Sequence, residues 1–145
     1  MSKIVPLISS GIAGTNGVLH LPRLWQKSSL KATGKIAEGY PGLGAGYDTM
    51  VVDAPGLDAD AVRCFIANAK PTYPEFVAWV AEQPGVKLDA ETIRDVNASI
   101  TGYVHDDSTR QGILLANGLP DGDPKDAIDL NNLDDWLGFH ASVIA

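Results

Sequence analysis

Three histidines punctuate the chain, His20, His105 and His140, and the last two stand in settings that suit proton transfer. His105 opens the run His105-Asp106-Asp107 at a junction between two helical segments, where a carboxylate beside an imidazole can orient it as a general acid or base. His140 follows Trp136 by one helical turn and sits downstream of Asn131-Asn132-Leu133-Asp134-Asp135, which adds polar groups nearby. The expectation is that His105 and His140 approach one cavity, with Tyr103 and Trp136 among its walls and Asp106 or Asp107 orienting His105. The same residues also have a plain structural reading. Asp107 can cap a helix, Asp106 can pair with Arg110 one turn on, His140 can be a hydrogen-bonded core residue, and the Asn/Asp run can be an acidic first turn.

No cofactor is required by this reading. The alternative is a divalent transition metal held by the two histidines and their aspartates; it lacks a paired-ligand spacing such as His-x-x-x-His and would depend on tertiary convergence. The single cysteine, Cys64, lies opposite an apolar helical stripe with no adjacent histidine, so it is not expected to act as a nucleophile.

Charge is unevenly distributed. The net charge is −7, yet the first 37 residues carry Lys3, Arg23, Lys27, Lys31 and Lys35 and no acid, which leaves −12 on the remainder. Arg23, Lys27, Lys31 and Lys35 recur every fourth residue and form one stripe on a helix, with Leu21, Trp25, Ala32 and Ile36 on the adjoining side. Such a stripe is a solvated edge, a surface docked on the acidic remainder, or a wall for a small anionic ligand, with Arg23, Lys27 and Lys31 as its contacts. The acidic balance argues against nucleic acid as a partner. No apolar run approaches the roughly 20 residues of a membrane span, and the opening residues lack the uninterrupted apolar stretch of a signal peptide. A cytoplasmic protein with no membrane partner is expected, with room for a homo-oligomer.

The elements that must position these residues are helical. At 145 residues, with 45% hydrophobic and 20% charged residues, the chain suits one domain able to bury its own core. An irregular lead over residues 1–21 precedes a helix from Pro22 to Gly34, proline suiting the first turn and glycine the left-handed stop. The loop from Gly39 to Gly46 follows no strand, so its glycines are not a dinucleotide fingerprint. Asp48 can cap a short segment through Met50, Val51 and Val52 that would also suit a strand. Asp58 caps a helix with Val62, Phe65, Ile66 and Ala69 on one face; Thr72 and Glu75 form a capping box for the next; Asp89 opens another with Ile93, Val96 and Ile100 inward. Asp107 begins a helix ending at Asn117-Gly118. A last helix from near Asp129 or Asn131 is expected to bury Leu133, Trp136, Leu137, His140 and Val143. This pattern predicts a mainly α fold, a compact array of five to six helices with short loops and little or no sheet.

Several segments together resemble a small bacterial domain-of-unknown-function family: Leu19-His20-Leu21-Pro22-Arg23-Leu24-Trp25, Pro55-Gly56-Leu57-Asp58, Tyr73-Pro74-Glu75-Phe76, Gly102-Tyr103-Val104-His105-Asp106-Asp107 and Leu130 to Trp136. The resemblance implies a one-domain bacterial protein and transfers no catalytic residue. Two functions follow from the residues themselves. The leading one is a cofactor-independent lyase, isomerase or hydrolase that acts on an anionic small molecule through histidine acid/base chemistry. The other is a helical module that binds a ligand or protein without turnover.

Overall fold

A computed structural model of the chain describes residues 3–145, so the first two residues of the expected lead lie outside it. Seven α-helices are present among the described residues, one more than the upper expectation, because Asp48 to Val52 resolves as a short helix of its own. The only β pairings among them are two isolated bridges, Ile4 with Ile36 and Val104 with Asp126.

Helix α1, Leu21–Ala32, starts with Pro22 in its first turn and ends at Thr33, after which Gly34 takes a left-handed φ of 70°. The stop is a Schellman arrangement in which the Lys35 N–H reaches back to the Leu30 carbonyl at 2.8 Å. Helix α2, Tyr47–Asp53, follows the glycine-rich loop. Helices α3, Ala59–Ala69, α4, Tyr73–Ala81, and α5, Ala90–Thr101, carry the expected caps at Asp58, Thr72 with Glu75, and Asp89. Their paired apolar residues, Val62 and Ile66, Phe76 and Val80, Val96 and Ile100, lie four apart and meet in one core with Leu21, Leu24, Val51 and Val52.

Three starts move by a few residues. Helix α2 has Gly46 at its cap position with no side-chain bond, so Asp48 lies inside its first turn and does not cap it. Helix α6, Asp107–Ala116, is capped by Asp106 and not by Asp107, and helix α7, Ala127–Phe139, is capped by Asp126 and not by Asp129 or Asn131. The apolar stripe expected on α7 is not its buried side. Leu130, Ala127 and Asp135 are buried, whereas Trp136 is 56% exposed, and His140 and Val143 are exposed in a π-helical turn over His140–Ile144. The reason is packing: α7 meets α5 and α6, and nothing among the described residues covers the side that bears Trp136.

The lead is not loose. Ile4 pairs with the strand-like segment after α1, and the Ile8 N–H donates to Gln26 Oε1 at 3.0 Å. The second bridge, with the Ala127 N–H on the Tyr103 carbonyl at 3.0 Å, brings the segment holding Tyr103 and His105 against the start of α7. No described helix is long and apolar enough to cross a membrane.

Candidate functional site

Where α1, α2, α7 and the 103–105 segment converge, an open cavity of about 270 Å³ forms, lined among others by His20, Arg23, Lys27, Tyr40, Tyr47, Asp48, Tyr103, His105, Asn131 and Asp135. Arg23 and Lys27 reach it because residues four apart share a helix face. Both are buried, and each meets a carboxylate from another element. Lys27 Nζ donates to Asp48 Oδ2 at 2.7 Å, and the Arg23 guanidinium grips Asp135 in a two-pronged pair at 2.7 and 3.1 Å. Arg23 also donates to the Pro6 and Ile8 carbonyls of the lead, and the Tyr40 hydroxyl adds a bond to Asp135 at 2.9 Å.

His20 completes the inner wall. It is the residue before α1 and holds a left-handed φ of 72°, uncommon for a side chain with a Cβ. That backbone turns the imidazole inward, where it bonds Asp48 Oδ1 through Nε2 at 2.6 Å and Ser10 Oγ through Nδ1 at 2.8 Å. An ionised carboxylate only accepts, so Nε2 carries the proton and Nδ1 accepts from the serine hydroxyl. Ser10 is itself buried and does not line the cavity. The hydroxyl–imidazole–carboxylate chain therefore fixes Asp48; it does not present a nucleophile.

Asp48 is the hub. It is 1% exposed and accepts from His20, Lys27 and the Gly44 N–H, the last at 2.7 Å. Burial alone would raise its pKa, but the bond from His20 and the Lys27 ammonium outweigh that and hold it down at about 2. Burial lowers the His20 pKa despite Asp48 beside it, so the imidazole is neutral at pH 7. For Asp135, burial pushes the carboxyl up and Arg23 and Tyr40 offset part of that push; the two-pronged geometry keeps it ionised at neutral pH.

The outer wall is aromatic and carries the second imidazole. His20, Tyr47, Tyr103 and His105 follow one another with ring centroids 5.3, 5.5 and 5.9 Å apart. Burial, with smaller contributions from Asp126 and Tyr103, raises Tyr47 to about 12, and its hydroxyl donates to the Ile100 carbonyl. His105 is half-buried, and its Nε2 donates to Asn131 Oδ1 at 2.9 Å, which leaves Nδ1 as the basic nitrogen of the ring.

Of the residues expected from the sequence, Arg23, Lys27, Tyr103 and His105 line the cavity. His140 and Trp136 do not, because α7 turns that side to solvent. The pairing of His105 with His140 is thus replaced by His105 with His20. Asp106 and Asp107 do not orient His105 either: Asp106 accepts from the Thr109 N–H at 2.7 Å, and Asp107 pairs with Arg110 at 2.7 Å. Arg110 meets Asp107 and Asp121, not Asp106. Lys31 lies one turn too far along α1 and borders neighbouring grooves instead. The stripe divides accordingly: Arg23 and Lys27 dock on acids of the same chain, Lys31 is exposed, and Lys35 falls beyond the helix. For the metal alternative, no group of three or more histidine, cysteine or acidic side chains among the described residues is placed to hold an ion.

His20 and Asp48 were given no site role by sequence, and Asp135 entered only as one of the polar residues near His140. The available signal was local for His20, a polar residue two positions before Pro22 at a helix start. Its partner Asp48 is 28 positions away, and that convergence is tertiary. No protein-family model matches the chain, and no curated protein sequence matches it.

Proposed function

We propose that the cavity is the active site of a small acid–base enzyme acting on a compact hydroxy-carbonyl compound, with His105 as the base and Lys27 as the group that holds the carbonyl oxygen. The observation that carries this reading is that a buried ammonium and a half-buried imidazole border the same open space. Lys27 gives one hydrogen bond to Asp48, and an ammonium has three to give. Because Asp48 and Asp135 already compensate the two buried cations, the site suits an oxygen that becomes negative during reaction better than a fully charged anion.

In the step this supports, His105 Nδ1 takes a proton from the carbon next to the carbonyl. The C–H electron pair forms a carbon–carbon double bond, and the carbonyl π pair moves onto the oxygen, where Lys27 donates to it. Return of that proton from His105 to the former carbonyl carbon, as the hydroxyl of the deprotonated carbon passes its own proton to the enolate oxygen and becomes the new carbonyl, gives an isomerisation. Collapse of the enolate back to the carbonyl, as a β-hydroxyl takes the proton from the His105 imidazolium and leaves as water, gives a lyase reaction. His20 and Ser10 hold Asp48, which holds Lys27, so the donor is preorganised before substrate arrives.

The test is deuterium uptake from heavy water into a panel of small hydroxyaldehydes and hydroxyketones, followed by proton NMR. Saturable uptake should fall by about 10²–10⁴-fold in His105→Gln with the helical spectrum unchanged. A second reading, a binding module without turnover, draws on the complete pairing of the buried charges. Saturable binding without deuterium uptake would select it and set the enzyme aside.

A further inference from the structure

We propose a second ligand site further along α1: the groove between α1, the 41–43 loop and α3 binds a small monocarboxylate with an apolar body, such as a medium-chain acid. The groove encloses about 410 Å³, within the roughly 300–1,000 Å³ of small-molecule sites. Ala32, Pro41, Leu43 and Ala67 make its apolar surface. Gly42 belongs to the construction, since a Cβ there would stand 2.7 Å from Lys31 Cβ, so only glycine lets the loop lie on the lysine stem.

Three polar groups border this surface, and none of them belongs to the cavity described above. Ser28 is 6% exposed, lines the groove, and its hydroxyl has no hydrogen-bond partner. A buried hydroxyl without a partner is unfavourable, and a ligand oxygen in the groove would satisfy it. Arg63 is held in place by Asp60 Oδ1 at 2.7 Å and the Leu43 carbonyl at 3.2 Å, with further N–H bonds unused. Lys31 makes no ion pair among the described residues. Asp60 compensates Arg63, which leaves one positive charge, and that selects a monoanion over a doubly charged phosphate. The apolar walls select a hydrocarbon body over a sugar.

The experiment is a titration of the isotopically labelled full chain with octanoate, read from amide NMR shifts, with octanol as the uncharged control. Saturable shifts at Ser28, Gly42, Leu43 and Ala67 are expected, with octanol roughly tenfold weaker, as is the double variant Lys31→Gln/Arg63→Gln, whose substituted side chains are exposed. Ser28→Ala should weaken octanoate severalfold while the fold persists. The proposal is overturned if octanol binds as well as octanoate, if the shifts lie at His105 or scatter over the surface, or if the variants bind like the unaltered chain. None of these outcomes bears on deuterium exchange in the other cavity.

Discussion

Asp48 shows how a single buried charge becomes tolerable. A carboxylate removed from water is highly unfavourable unless its lone pairs are met, and here an imidazole N–H, an ammonium and a backbone N–H meet them. Asp48→Asn should therefore destabilise the fold by about 3–5 kcal/mol, since it leaves the Lys27 ammonium buried without a counter-charge. Ser10→Ala removes only the donor to His20 Nδ1, and about 1–3 kcal/mol is expected from that. Urea unfolding of the two variants measures both; equal effects would mean that the charge pairing of Asp48 with Lys27 adds nothing to the hub. The left-handed backbone at His20 belongs to the same logic, since the strain of that φ is tolerated where the side chain gains two bonds by it.

At the scale of elements, Arg23 ties three pieces together, bonding carbonyls of the lead and the α7 carboxylate from α1. Arg23→Lys keeps the charge and loses the planar fork. The amides of Ile4 and Ile8 should then exchange faster with solvent, while those of α3 and α4, which the substitution does not touch, keep their protection. At the start of α7, Asp126→Ala should lower stability by about 1 kcal/mol, the usual loss for an N-cap whose side chain accepts from the first turn, here the Asp129 N–H; an unchanged urea midpoint would contradict that capping role. Legibility in the sequence followed the range of the interaction. Asp58, Thr72 with Glu75, and Asp89 were readable because a cap and its helix are neighbours in the chain. Val51 and Val52 were ambiguous because β-branched residues serve both periods, and Asp129 and Asn131 offered polar starts for α7 just beyond the cap that Asp126 supplies. Trp136 and His140 misled because a stripe at helical spacing declares an apolar face without declaring a partner for it. Part of the cavity was visible as Arg23, Lys27, Tyr103 and His105. The pairings that build its inner wall, His20 with Asp48 and Arg23 with Asp135, join residues 28 and 112 positions apart, a distance that local patterns do not span.

Over the whole molecule, the positive first quarter and the acidic remainder meet in the two buried pairs, and the site's electrostatics should register in stability against pH. The sign follows from proton counts. His20 has a folded pKa below its ordinary 6.5 because burial disfavours the imidazolium, with Lys27 and Arg23 adding to that and Asp48 opposing it. As pH falls through about 6.5, the unfolded chain takes up this proton and the folded chain does not, so stability falls with pH there. Asp48, ordinarily 3.8 and about 2 when folded, acts in the same direction lower down: its contribution is complete above about 3.8 and is lost as pH falls through about 2. Asp135, whose folded pKa lies above 3.8, acts oppositely, since the folded state protonates first and partly offsets the loss in the acid range. Urea unfolding between pH 7.5 and 5 should accordingly show stability falling with pH, by at most about 1.4 kcal/mol per pH unit for the His20 proton. His20→Asn is the informative variant, because asparagine accepts the left-handed backbone and does not titrate. It should be less stable at pH 7.5, having lost the bond to Asp48, and its profile should be flatter by the His20 share. A profile as steep as that of the unaltered chain would mean that His20 is not held neutral against Asp48.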